Sequence, residues 1–210
     1  MQPLKIILKL NNLEYFEILF SDPKPIFCCE KIELFFCNGK IKLQLSNDFA
    51  EETISSLKIL LTKAINNNLW LEESIDKDLG CLWNDDLHKY SDPNFKPSKN
   101  HPDWAGLNYH MWSTNDIALD ITDTWLYNDS DGNIILEITP RYKWLFGDLD
   151  SEPEDDPNFI TYNEFMKNYQ PYISRIIPLE VAQQWLHQAN ELLDLSEENK
   201  RIATLEAENE

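Results

Sequence analysis

Residues 117–146 read IALDITDTWLYNDSDGNIILEITPRYKWLF, and this stretch decides the fold. Two runs of β-branched and aromatic residues flank a turn-forming segment at 128–133, which predicts a long β-hairpin. A strand pair with a strongly apolar face must pack on a core, so helices are expected to cover it. With a loop at 129–132, that face is expected to carry Trp125, Tyr127, Ile134, Leu136 and Ile138.

Two more hairpins are predicted before residue 47. Residues 4–10 alternate apolar and polar side chains, and the asparagine pair that follows predicts a tight turn with Lys9 opposite Glu14. Asn38 and Gly39 predict a type I′ turn, because both positions of that turn need positive φ. In the register of this second hairpin, three apolar pairs are expected to lie opposite each other: Ile32–Leu45, Leu34–Leu43 and Phe36–Ile41.

A helix is expected to cross these strands. Asp48 and Glu51 have the spacing of a capping box at its start, and the helix should end near residues 66–68. Residues 1–68 are therefore predicted to form an antiparallel four-strand plus helix subdomain. The apolar stripe of the helix is Ala50, Ile54, Leu57, Leu61 and Ala64.

Residues 69–195 are predicted to form an acidic, tryptophan-rich α+β part that packs as one domain with the first. It begins irregularly, with short strands expected at GCLW (80–83) and GLNYHMW (106–112). C-terminal helices are expected to follow the central hairpin, and residues 196–210 should form a polar helical or frayed tail. The chain is therefore predicted to be α+β, with antiparallel sheets built from hairpins and helices packed on one face.

The start of each C-terminal helix is also predicted from local signals. Thr161 and Glu164 have the spacing of a second capping box, and Pro178 suits the first position of the last helix. The buried stripe of that last helix is expected at Val181, Trp185, Ala189 and Leu192.

The negative charge is concentrated in the last two thirds of the chain. Residues 1–69 carry eight basic and eight acidic side chains, whereas residues 70–210 carry ten and 29, which accounts for the whole net charge of −19. Such a surface repels nucleic acid and anionic lipid and attracts basic partners. The same charge also serves solubility, so a purely solubilising role remains an alternative.

The sequence also predicts a compartment. No run of 18 apolar residues is present, and Lys5 and Lys9 interrupt the first apolar run, unlike the centre of a secretory signal. A cytoplasmic protein is therefore expected. The four cysteines, at 28, 29, 37 and 81, are then expected to be reduced and buried, since their spacing matches no zinc site.

Catalytic and cofactor motifs are missing from the sequence. The histidines lie outside metal or triad spacings, and the 129–133 loop lacks the ligand positions of a calcium loop. No cofactor, metal, nucleic acid or membrane partner is expected, and the protein is predicted not to be an enzyme. An enzyme of unfamiliar type would require a polar cleft with a histidine near a carboxylate, for instance His110 near Asp120.

Acidic residues near tryptophan and tyrosine suggest a protein-binding surface instead. Aromatic anchors with charged surroundings are typical of interface hot spots. The stretches 83–112 and 148–156 are therefore predicted to bind a partner, although several tryptophans should simply be core residues. The predicted contact residues are Asp85, Asp86, Trp104, Asp148, Asp150, Glu152, Glu154, Asp155 and Asp156.

In overall profile the chain resembles the immunity proteins of bacterial polymorphic toxin systems, including those of contact-dependent inhibition. The resemblance consists of a small, strongly acidic, tryptophan-rich α+β chain without catalytic motifs. It implies an inhibitor that binds a cognate toxin, often a basic nuclease, in one variant by presenting carboxylates in place of phosphates. The alternative is an adaptor or regulatory domain that docks its partner through the tail at 196–210 or through the N-terminal sheet edge.

Overall fold

The computed structural model describes residues 4–72, 75, 78–91, 105–114, 121–146 and 157–208. In these residues the protein has an α+β fold with two antiparallel sheets of four strands each. The predicted α+β class and antiparallel hairpins are confirmed. The elements are, in chain order, β1 (Lys5–Lys9), β2 (Tyr15–Phe20), β3 (Ile32–Cys37), β4 (Lys42–Ser46), α1 (Ala50–Ile65), α2 (Leu79–Ser91), β5 (His110–Ser113), β6 (Thr122–Asn128), β7 (Ile134–Pro140), α3 (Tyr162–Lys167), β8 (Ile173–Ile177) and α4 (Leu179–Ala207).

The first sheet is a meander in the order β1-β2-β3-β4. Leu8, Phe16 and Phe36 lie opposite one another on adjacent strands, and all three are fully buried. The four predicted strands are therefore confirmed, because alternation of apolar and polar residues sets which side of each strand faces the core. The registers of both hairpins nevertheless differ from the predicted ones.

The first turn is wider than the predicted tight turn. The side-chain oxygen of Asn11 accepts the backbone N–H groups of Leu13 and Glu14 at 2.8 and 2.9 Å. This local contact stabilises a longer loop, as an Asx turn does. Lys9 consequently lies opposite Tyr15, so the prediction that it faces Glu14 is wrong.

The second turn is not of type I′. Gly39 has a positive φ of 77°, but Asn38 does not. The Asn38 side chain instead accepts the N–H groups of the two residues after Gly39, at 3.1 and 2.9 Å. Phe36 consequently lies opposite Leu43, whereas its predicted partner Ile41 is in the loop and 41% exposed.

Helix α1 has the predicted apolar stripe but lacks the predicted capping box. Phe49 is the residue at the N-cap position, and Asp48 accepts the Phe49 N–H at 2.8 Å rather than a helix N–H. Glu51 lies in the first turn, where a negative charge interacts favourably with the helix dipole. The chain leaves the helix at Asn67, which takes a positive φ of 57°.

Helix α1 connects the two sheets. The Trp112 indole nitrogen in β5 donates to the Thr53 carbonyl at 3.0 Å, and the Asn128 amide in β6 donates to the Ala64 carbonyl at 3.1 Å. Helix α4 packs against α1, and its Trp185 donates to the backbone of β1 at 2.9 Å. One hydrophobic core consequently includes side chains from both sheets.

The central hairpin is present as β6 and β7, but the predicted distribution of its side chains between the two faces is wrong. Asp129 accepts the Asn133 N–H at 2.9 Å, which widens the loop by one residue. A shift of one residue moves one strand's side chains to the other face. Trp125 thus lies opposite Glu137, not beside the predicted apolar set. The face with Leu126 instead carries Ile134, Leu136 and Ile138, and almost every side chain on both strands is buried.

The GCLW segment predicted as a strand lies in α2. Asp78 accepts the Cys81 N–H at 2.8 Å, which is the contact an N-cap residue makes. Gly80 allows close approach to the second sheet, because a Cβ there would overlap the hydroxyl groups of Thr139 and Tyr169. The other strand predicted in this region is confirmed only in its second half, as β5.

Helix α4 continues beyond residue 196 without interruption. The Ser196 hydroxyl is buried and accepts the Phe27 N–H at 2.9 Å, and the Asn199 amide donates to the Pro25 carbonyl at 3.0 Å. Residues 201–208 are all exposed, so the solvent-facing part begins later than predicted. The predicted stripe is buried at Trp185, Ala189 and Leu192 and half-buried at Val181. Pro178 precedes the first helical residue and takes the N-cap position.

Candidate functional site

A carboxylate and two aromatic rings lie side by side where α2 contacts α3. We define the α2–α3 face as Asp85, His88 and Tyr162. The Tyr162 hydroxyl donates to Asp85 at 2.6 Å, and the His88 ring stacks on the Tyr162 ring with centroids 3.8 Å apart. His88 is exposed and Asp85 and Tyr162 are half-buried, so the face presents anionic and aromatic groups to solvent.

Buried polar contacts fix the position of this face. Asn84 in α2 is fully buried, donates to the Pro140 carbonyl at 2.9 Å and accepts the Tyr142 N–H at 2.7 Å. Helix α3 begins with the predicted capping box, in which Thr161 and Glu164 exchange hydrogen bonds. Asn84 thus anchors α2, whereas the capping box stabilises the first turn of α3.

In the Tyr162–Asp85 contact, the tyrosine hydroxyl is the donor and the aspartate carboxylate is the acceptor. Burial raises the pKa of Tyr162, and the neighbouring Asp85 carboxylate raises it further. Tyr162 consequently stays protonated and continues to donate its hydrogen bond at alkaline pH. This contact uses one oxygen of Asp85, and a carboxylate can accept further hydrogen bonds from a cationic partner.

Of the nine predicted contact residues, Asp85 lies on the α2–α3 face, and Asp86 lies on α2 about 100° around the helix from it. In the sequence, the acidic run lies between residue 146 and Pro157. Trp144 precedes this run and Phe159 follows it, and the centroids of their rings are 5.6 Å apart. The other predicted contact residues lie outside the described residues: Trp104, Asp148, Asp150, Glu152, Glu154, Asp155 and Asp156.

The tryptophans divide between core and surface. Trp112, Trp125 and Trp185 are buried, whereas Trp83 and Trp144 are half-buried and Trp70 is 42% exposed. Indole rings that remain partly accessible are the ones that can serve as interface anchors. In the stretch predicted at 83–112, the described tryptophans therefore include one core residue and one half-buried residue.

His110 does lie beside a carboxylate, within a buried ion cluster. Its Nε2 is 2.8 Å from Asp123, and the Arg141 guanidinium contacts both oxygens of the same carboxylate. Burial alone would raise the pKa of Asp123, but the hydrogen bonds from Arg141 and His110 hold it below the usual value. The cluster ties together β5, β6 and the end of β7. The Asp120 considered as a partner for His110 lies outside the described residues.

A second buried polar cluster was missed at the sequence level. The Tyr169 hydroxyl donates to Asp78 at 2.5 Å, and the Ser174 hydroxyl donates to Glu137 at 3.1 Å. Burial raises the pKa of Glu137, and the nearby charge of Asp78 raises it further. The available sequence signal was a glutamate inside the otherwise apolar strand β7.

A cavity of about 200 Å³ lies near the end of β7, beside the α2–α3 face. Arg141 and Lys143 contribute to its wall, and the Lys143 amine lies over the Trp144 ring, 4.3 Å from its centroid. The apolar part of the lining comprises Ile121, Pro140, Trp144, Ile160, Phe165 and Tyr172.

No match to known proteins was found. No protein-family model matches the chain, and neither a curated protein nor a solved structure matches it significantly. Any assignment of function must therefore come from the chain's own residues.

Two features are absent from the described residues, a metal-ligand cluster and a membrane-spanning helix. Among the described residues, no group of three or more histidine, cysteine or acidic side chains is placed to hold a metal ion. Within the same ranges, no helix is both long and apolar enough to cross a membrane.

The prediction of buried cysteines holds for Cys37, whereas Cys28 is exposed and Cys81 is half-buried.

Proposed function

We propose that this chain is a non-enzymatic binding protein, an immunity protein that binds and neutralises a basic toxin in the bacterial cytoplasm. The observation that carries the proposal is the α2–α3 face, where the Asp85 carboxylate accepts from Tyr162, whose ring stacks on the exposed His88 ring. A lysine- or arginine-rich surface complements such a face both electrostatically and through contacts with the rings.

The aromatic residues would supply the short-range part of the binding energy. Tyr162 is held by Asp85 and by stacking with His88, so little side-chain freedom is lost when a partner packs against it. Pre-ordered aromatic rings near the centre of an interface are typical hot spots.

The acidic residues would supply long-range attraction. The net charge of −19 favours encounter with a cationic protein and disfavours nucleic acid. A nuclease is the toxin class that fits best, because a surface built to bind phosphates also attracts carboxylates. In that arrangement the acidic face would occupy the region where the nuclease binds its substrate.

Affinity capture followed by a growth assay tests the proposal. Tagged wild-type protein is expected to retain a protein of basic isoelectric point whose expression alone arrests growth, and co-expression of this chain should restore growth. The double variant Asp85→Asn/Asp86→Asn should protect less well. Its matched control is Glu51→Gln/Glu52→Gln, an exposed acidic pair at the start of α1, which should protect fully. A captured partner that is acidic, or harmless alone, would contradict the proposal.

The adaptor alternative is favoured by a separate observation on α4. The C-terminal part of this helix carries apolar side chains that are between 39% and 46% exposed, at Leu195, Ile202 and Leu205. An adaptor would dock its partner there and would lose it when the tail is removed. An inhibitor that uses the α2–α3 face would keep its partner.

A further inference from the structure

The cavity beside Arg141 has the size of one aromatic ring. Its volume of about 200 Å³ slightly exceeds the roughly 150 Å³ of an apolar cavity known to accept benzene. Three aromatic side chains form part of its wall, Trp144, Phe165 and Tyr172. Aromatic walls favour an aromatic guest, since edge-to-face and offset contacts add to the energy of burial.

The charge on the described lining of the cavity is opposite in sign to that of the protein as a whole. Its described lining includes the cations Arg141 and Lys143 and no carboxylate, although the chain carries 37 acidic residues. The Arg141 guanidinium is held by Asp123, which neutralises most of its charge. Lys143 is half-buried over the Trp144 ring, so its charge is the one that a bound anion would meet.

We propose that this cavity binds a single six-membered aromatic ring that carries a carboxylate on a short chain. The ring would pack among Trp144, Phe165 and Tyr172, and the carboxylate would pair with Lys143. Both a free arylalkanoic acid and the C-terminal phenylalanine of a peptide have this chemistry. The inference does not rest on the proposed binding of a toxin, because the two involve different side chains.

Titration with three small probes of equal size and different charge tests the proposal. The probes are 3-phenylpropionate, 3-phenylpropanol and 3-phenylpropylamine, and the readout is the NMR signal of the Trp144 indole N–H, assigned with Trp144→Phe. The propionate is expected to bind with a dissociation constant on the order of 1 mM, as suits a ligand this small. It should bind more tightly than the alcohol, and the amine should bind most weakly.

A lysine variant separates the charge contribution from the contribution of the ring. Lys143→Gln should weaken 3-phenylpropionate about 5- to 10-fold, the effect of losing one partly solvated charge pair, and leave 3-phenylpropanol unchanged. Lys167→Gln, an exposed lysine at the end of α3, is the matched control and should change neither. Near-ultraviolet circular dichroism confirms that each variant is folded.

A tetrapeptide ending in phenylalanine identifies the source of the ligand. Tighter binding of the peptide with a free C-terminus than of its amide and of 3-phenylpropionate would point to a protein terminus. Binding of the small acid alone would point to a metabolite, and either result supports the site. Saturation by none of the probes, or equal affinity for the acid and the amine, would overturn the proposal.

Discussion

The hydroxyl group of Tyr162 donates a 2.6 Å hydrogen bond to Asp85, and this contact joins α3 to α2 across 77 residues of sequence. It fixes a carboxylate and an aromatic ring next to each other at the surface. The proposed binding face depends on this pairing, because the ring would otherwise lack a fixed orientation.

Asp85 should contribute more to stability than its neighbour Asp86. Both are half-buried on α2, but the hydrogen bond from Tyr162 is made to Asp85. Asp85→Ala should lower the free energy of unfolding by about 1 kcal/mol more than Asp86→Ala, the usual contribution of one such bond. Urea denaturation of both variants measures the difference. Equal effects would mean that the contact does not hold the helices together in solution.

The Asp123 cluster should be the most sensitive polar position in the second sheet. Asp123→Ala removes the partner of a mostly buried Arg141 and should cost about 3–5 kcal/mol of unfolding free energy. Asp131→Ala, at an exposed loop position, is the control and should stay within about 0.5 kcal/mol of wild type.

The Asp123 cluster also predicts a pH dependence. Because its pKa is lowered in the folded protein, the carboxylate stabilises the fold above its unfolded pKa of about 4. This contribution is lost as the pH falls through the folded pKa. The stability difference between wild type and Asp123→Asn should therefore shrink below about pH 4, as measured by thermal unfolding across pH.

Glu137 should have the opposite effect. Burial and the charge of Asp78 raise its pKa, so the folded state binds the proton more tightly than the unfolded state. Stability is then lost as the pH rises from the unfolded pKa through the folded one. Glu137→Gln should increase the free energy of unfolding at pH 7, since glutamine can still accept the hydrogen bond from Ser174.

Glu17→Gln in the first sheet is a matched control for Glu137→Gln, because the two substitutions should change the free energy of unfolding in opposite directions. Hydrogen bonds from Lys42 and Lys5 lower its pKa, so ionised Glu17 stabilises the fold. Glu17→Gln should therefore decrease the free energy of unfolding at pH 7. If denaturant titrations showed that both glutamine variants change the free energy of unfolding in the same direction, the opposite pKa directions of Glu17 and Glu137 would be contradicted.

Two truncations define where the packed part of α4 ends. Removal of residues 200–210 should leave the unfolding free energy nearly unchanged, because residues 201–208 are exposed. Removal of residues 196–210 also deletes the contacts of Ser196 with Phe27 and of Asn199 with Pro25, and should cost about 1–3 kcal/mol. Only the shorter truncation is therefore a clean test of the adaptor hypothesis, which predicts loss of the partner.

The three hairpins could be predicted from the sequence, but their registers could not, and strand β8 was not predicted. Apolar alternation identified the hairpins, whereas each predicted register failed at its turn. In all three turns an Asn or Asp side chain, at Asn11, Asn38 or Asp129, accepts backbone N–H groups beyond it and widens the loop. The assumption of minimal turns ignored this competition between side chain and backbone.

The α2–α3 face was predicted only in part. Local acidity pointed to Asp85 and Asp86, but Tyr162, the partner of Asp85, lies far along the chain, and nothing in the local pattern connects them. The helical state of α2 was missed because GCLW has strand-like composition, whereas the N-cap at Asp78 and the close packing of Gly80 favour a helix. Tertiary contacts override local propensity in such segments.

The association rate of the captured partner tests the central claim most directly. It is measured by stopped flow from 20 to 500 mM salt for wild type, for Asp85→Asn/Asp86→Asn and for this double variant with residues 148–156 neutralised as well. The proposal predicts fast, salt-sensitive association for wild type and a rate at least about tenfold lower at low salt when both stretches are neutralised. An unchanged rate in the fully neutralised protein would contradict it.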